Sequence, residues 1–139
     1  VCKFGDVIVI KNYIGDDEKN VKHHSFVVID DNPGIIKGLN YNLVTNVMSS
    51  FKNEKHRKRK LKYKENLEIY SENIISNLKN DKSGYIKADQ LYYFDKNKIE
   101  YYVFARVNQQ LLNELIRLVI ELSVEEKLKI NTQNLICAP

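Results

Sequence analysis

The sequence is short of the covalent and metal staples that very small or secreted domains rely on. Its two cysteines, Cys2 and Cys137, lie near the chain ends without metal-ligand spacing between them. Two reduced thiols are the expectation, with a terminal disulfide as the alternative, and no zinc or other metal site is implied. No apolar run nears the ~20 residues that cross a bilayer. The opening Val1-Cys2-Lys3-Phe4-Gly5-Asp6 lacks the apolar core of a signal peptide. A cytoplasmic protein with no membrane partner is expected. No internal repeat is visible. What the chain does have is 139 residues, 43% of them hydrophobic and 29% charged, enough for a single domain (1–139) that buries its own core.

The net charge of +4 is unevenly spread. Lys52 to Lys64 reads KNEKHRKRKLKYK, with Glu54 its one acid. Such clustering raises a local positive potential and points to a polyanionic partner, against the plainer reading of a solvated basic insert.

Apolar and β-branched patterning predicts strands at Lys3–Ile10, Ser25–Asp30, Leu39–Ser49, Asn66–Tyr70, Tyr85–Phe94 and Ile99–Val107. Asn12–His24 is polar and without period, and is expected to be a mobile loop. Asp31-Asn32-Pro33-Gly34 is a turn signal. In Leu39–Ser49 alternation predicts one wetter face, carrying Asn40, Asn42, Val44, Asn46 and Met48. Ser71–Asn80 has the spacing of a short helix capped by Ser71. A longer helix over about Asn108–Lys127 carries an apolar stripe including Leu111, Leu115 and Leu122. Ser123-Val124-Glu125-Glu126 reads as a second capping box where the helix breaks or restarts, and an extended tail follows residue 128. Strands first and a helix last define an antiparallel α+β domain.

Four segments, in order, resemble the MazF/PemK toxins. They are Gly5-Asp6-Val7-Ile8, His24-Ser25-Phe26-Val27-Val28-Ile29, Asn46-Val47-Met48-Ser49-Ser50, and Lys87-Ala88-Asp89-Gln90 running on to Asp95. The last is similar to the Asp-Gln strand of the Kid-like branch. The resemblance implies a compact antiparallel β-barrel (SH3-like, of the CcdB/MazF type) with a C-terminal α-helix. It also implies a homodimer that cleaves single-stranded RNA without a metal or other cofactor. The partner it implies is an antitoxin, a protein in preference to an RNA as in the ToxN-like branch. Non-catalytic alternatives are a CcdB-like gyrase poison and a barrel that binds nucleic acid structurally.

Metal-free cleavage uses the substrate's 2′-hydroxyl to attack phosphorus, giving a 2′,3′-cyclic phosphate and a 5′-hydroxyl. It needs a proton acceptor and donor tuned near neutral pH, a cation and hydrogen-bond donors. His24 stands where the family usually has arginine and is the expected acid or base, with His23 as substitute. Ser49 supplies the hydroxyl of the family's threonine, with Ser50 as the alternative register. Lys87 would stabilise the phosphate, and Asp89, two residues on, would act as base or orient a partner. Gln90, Arg57, Lys58, Arg59 and Lys60 are candidate RNA contacts. Tyr13, Tyr41, Tyr92, Tyr93 and Phe51 are candidate stacking residues, against the commoner role of tyrosines as core.

Overall fold

The computed structural model describes residues 2–14, 20–75 and 84–136, with backbone alone at positions 12 and 20–23. In chain order its elements are β1 (Asp6–Ile14), β2 (Asn20–Asp30), β3 (Gly34–Ile36), β4 (Leu39–Tyr41), β5 (Leu43–Ser50), α1 (Glu54–Lys60) and β6 (Asn66–Ile69). There follow β7 (Ile74–Ile75), β8 (Gly84–Phe94), β9 (Glu100–Val107), α2 (Gln109–Val124), β10 (Lys129–Asn131) and α3 (Gln133–Ile136). The large sheet runs β10-β8-β5-β2-β1-β9-β7, with β6 also on β8. It is strongly curled into a half-barrel, and the fold is α+β.

Alternation along β1 and β2 sends side chains into two cores. Val7 pairs across the sheet with Val27, and Ile8 with Phe26. Val7 and Val27 join an aliphatic core closed by Leu111, Leu112, Leu115 and Leu122 of α2. Ile8 and Phe26 join an aromatic core with Tyr13, Tyr92 and Phe94 on the opposite face. The stripe of α2 is therefore what covers the first face. Asn108 caps that helix by accepting from the Leu111 N–H at 2.9 Å, which supplies one of the bonds that a helix start lacks.

Several expectations are corrected. Asn12–His24 is not all loop, because β1 and β2 pair as far as Tyr13↔Val21 and Ile14↔Asn20. Tyr13, 5% exposed, anchors that extension in the aromatic core. The strand expected over Leu39–Ser49 is broken at Asn42, whose Oδ1 accepts from the Lys96 N–H at 2.8 Å. Its first part pairs with β3 through a turn at Lys37 and Gly38, both at positive φ. The expected wet face of β5 is dry: Val44 and Asn46 are buried, because β5 lies inside the sheet between β2 and β8.

The basic segment contains the helix α1, capped by Asn53, whose side chain accepts from the His56 N–H at 2.8 Å. Ser71–Asn73 is a single 3-10 turn leading into β7, and the remainder of the helix expected there lies outside the described residues. α2 breaks after Val124, as one branch of the capping-box expectation had it, and does not restart. Glu126 takes a left-handed φ of 58° and the Lys127 N–H donates back to the Leu122 carbonyl at 2.9 Å, a helix stop of the Schellman kind. The tail is not merely extended. β10 adds to β8 in parallel, and Asn134 of α3 bonds both the N–H and the carbonyl of Ile14, at 2.7 and 2.9 Å. Cys2 is buried; Cys137, the other half of the alternative disulfide, lies outside the described residues.

Candidate functional site

Neighbouring strands β2, β5 and β8 carry the three segments singled out above. Phe26 pairs with Val47, and His24 and Ser49 each lie two residues beyond that pair, both bordering the same groove. Ser49 in turn pairs with Tyr85 of β8. The pleat therefore puts His24 and Ser49 on the sheet face of Phe26 and Val47, away from α2. Lys87 lies one pleat beyond Tyr85, out of phase with the aliphatic-core residues Ile86 and Ala88, and so belongs to that face too. Close approach of β5 and β8 at this end depends on Gly84, where a Cβ would come within 2.4 Å of the Ser49 carbonyl oxygen.

One irregularity sets this arrangement. Asn46 pairs with Leu91, but Met48 pairs with Ile86, so Lys87–Gln90 bulge out opposite Val47. Asn46, wholly buried, clasps the bulge: its Nδ2 donates to the carbonyls of Lys87, Ala88 and Gln90 at 3.1, 3.3 and 3.0 Å. A bulge of this kind re-aims side chains at a sheet edge. Its Oδ1 has no partner in the structure.

A groove of about 620 Å³ opens at the same end of the sheet. Its lining is mostly of the α2-side face, with Val7, Met48, Ile69, Ile74, Phe104 and Ala105, and His24 and Ser49 of the opposite face border it. Tyr70, Ser71 and Tyr102 complete its rim. The imidazole of His24 is half-buried, edge-on to Tyr13 and Phe26 at centroid distances of 6.0 and 6.2 Å. Burial pushes its pKa below the ordinary value; hydrogen bonds to the backbone of Ser25 and Met48 oppose this, and the nearby Lys87 ammonium adds to it. A histidine so placed is largely neutral at pH 7 and can accept a proton.

Lys87 and Asp89 are not among the groove-lining residues. Lys87 reaches His24 through its field. The Asp89 carboxylate is directed to the β10 edge, 4.0 Å from the Lys129 ammonium. Burial raises its pKa, Lys129 opposes this and Glu65 reinforces it. Gln90 pairs with Lys129 and is also outside the groove. His23 lies on β2, but its side chain is outside the described residues. In α1, Arg57 is occupied by Glu54 and Glu68, Lys60 is half-buried, and Lys58 and Arg59 are exposed.

Of the candidate stacking residues, Tyr13 and Tyr92 are core, 5% and 4% exposed. Tyr41 and Tyr93 pack edge-on against each other at 4.8 Å, and Phe51 stacks on Tyr85 at 5.0 Å. The aromatic rings at the groove are instead Tyr70 and Tyr102, about half exposed. Their signal in the sequence was weak, since nothing local marks an exposed tyrosine as facing a groove. Among the described residues no His, Cys, Asp and Glu cluster is placed to hold a metal, and no helix is long and apolar enough to cross a membrane. No protein-family model matches the chain, and no curated protein matches it.

Proposed function

We propose that the protein is a metal-independent endoribonuclease acting on single-stranded RNA, the toxin of a toxin–antitoxin pair with a CcdB/MazF-type barrel. The observation that supports this is the placing of His24, Ser49 and Lys87 on three adjacent strands, with His24 and Ser49 bordering a groove and the Lys87 charge acting on His24. His24, neutral at pH 7, takes the proton of the 2′-hydroxyl, whose oxygen attacks phosphorus. The bond from phosphorus to the 5′-oxygen breaks, and that oxygen leaves as a hydroxyl after taking a proton from water, His24 later returning its own proton to solvent. Ser49 donates a hydrogen bond to a non-bridging oxygen, and the Lys87 ammonium offsets the charge gathering there. Asp89 is left holding Lys129 rather than the scissile group. The resemblance adds a homodimer and a cognate antitoxin, a protein with an acidic segment in preference to an RNA, lying over the groove.

Incubation with a mixed-sequence RNA in EDTA tests the reading. Fragments with 5′-hydroxyl and 2′,3′-cyclic phosphate ends are expected. Bound but intact RNA would instead favour a non-catalytic barrel, the reading to which the turned-away Asp89 lends weight.

A further inference from the structure

Tyr70 is unusual among the exposed rings in being fixed at both ends. Its hydroxyl donates to Glu68 Oε1 at 2.8 Å. Glu68 in turn accepts from Nε and Nη2 of Arg57 at 2.7 and 3.1 Å, a bidentate clamp that fixes the carboxylate plane. The backbone N–H of Tyr70 donates to Asn73 Oδ1 at 2.9 Å, and the Asn73 carbonyl accepts from the Asn108 N–H at 2.7 Å. The ring is thus tied through α1 on one side and the start of α2 on the other. Yet 52% of the residue stays in solvent, on the rim of the groove.

Holding a long side chain still costs rotamer entropy. The bond to Glu68 offsets part of that cost, and the fixed, exposed ring is ready for a flat ligand, because a ring already in position loses little further freedom on contact. We infer that Tyr70 is a stacking platform for an unpaired nucleobase beside the scissile phosphate, with Glu68 and Arg57 as its positioning pair. The inference rests on the ribonuclease reading and adds to it a base-binding position. Every base has a π-face, so the platform contributes affinity without selecting strongly among bases.

The test uses a fluorescein-labelled 2′-O-methyl oligonucleotide, which lacks the attacking hydroxyl, beside an abasic oligomer of equal length. Wild type is expected to bind the base-bearing oligomer more tightly. Tyr70→Ala should weaken that binding by about tenfold and leave the abasic oligomer unaffected. Tyr70→Phe keeps the ring but loses its anchor and should fall between the two. Glu68→Gln should weaken binding in the Tyr70 protein and have no further effect in Tyr70→Ala, a dependence that general damage to the fold would not produce. If Tyr70→Ala binds both oligomers like wild type while wild type still cuts RNA, the platform is refuted and the nuclease stands. If wild type neither binds nor cuts, both fall.

Discussion

Two histidines of this protein have depressed pKa values, and their surroundings separate a candidate catalyst from a packing residue. His24 and His56 both owe the shift first to burial, and both feel neighbouring cations: Lys87 for His24, and Arg59, Lys60 and Lys52 for His56. His56, however, is shut in. Its Nδ1 accepts the Lys52 N–H at 3.1 Å, its ring lies against Phe51 and Tyr85, and the residue is 9% exposed. It closes the first turn of α1 onto β8. His24 instead is half-buried and is one of the residues bordering the groove. A lowered pKa identifies a ring deprived of water; access decides whether the ring can do chemistry.

Replacing each histidine with alanine breaks that comparison most sharply. His24→Ala is expected to lower RNA cleavage at least ~100-fold with little change in melting. His56→Ala should leave the chemical step intact but lower the melting temperature, read by circular dichroism. The reverse pattern would exchange their roles.

The next effect in size concerns the clasp that shapes the site. Asn46→Leu removes three hydrogen bonds from buried or half-buried carbonyls and should cost about 2–4 kcal/mol in urea denaturation. A loss below ~1 kcal/mol would mean that the bulge holds without Asn46.

Salt dependence sharpens the contrast between the groove and α1. Arg57 is already paired, and of the exposed cations of the helix (Lys55, Lys58 and Arg59) the last two are adjacent. Changing both to Gln should reduce the slope of log K against log salt for single-stranded RNA by about 1.4, or roughly 0.7 for each lost phosphate contact. An unchanged slope would leave these side chains to solubility.

The smallest effect is on titration. Removing the Lys87 charge with Lys87→Gln should raise the His24 pKa, followed by NMR of the ring, and carry the acid limb of the cleavage profile upward with it. The sign for stability follows from the same shift. His24 binds a proton more weakly folded than unfolded, so its contribution is complete above the unfolded value, about 6.5. That contribution is lost as pH falls through the folded value. A His24 pKa unmoved by Lys87→Gln would separate the two side chains.

The sequence made the inner strands and α2 legible because their apolar residues recur at the periods of two and 3.6 that packing against one face requires. It misread places where a distant partner decides the structure. The outer halves of β1 and β2 look like loop because their polar run gives no period, yet Tyr13 finds a core built from β2 and β8. Asn46 looks like a wet-face residue until the β8 bulge supplies three carbonyls. β10 is three residues long and exists by pairing with β8. For the candidate site, the sequence singles out His24, Ser49 and Lys87 as residue types in order, whereas the turning of Asp89 to Lys129 and the placing of Tyr70 on a groove depend on register and curl.

The central claim is that one groove gathers His24 and Ser49 around a single phosphate, and the most direct test is an NMR titration with a 2′-O-methyl oligonucleotide. The account predicts that the His24 ring and the Ser49 and Ser50 amides shift together at one saturation midpoint, with Tyr102 among the responders. Shifts confined to α1, or a His24 ring that stays put while other residues saturate, would contradict it.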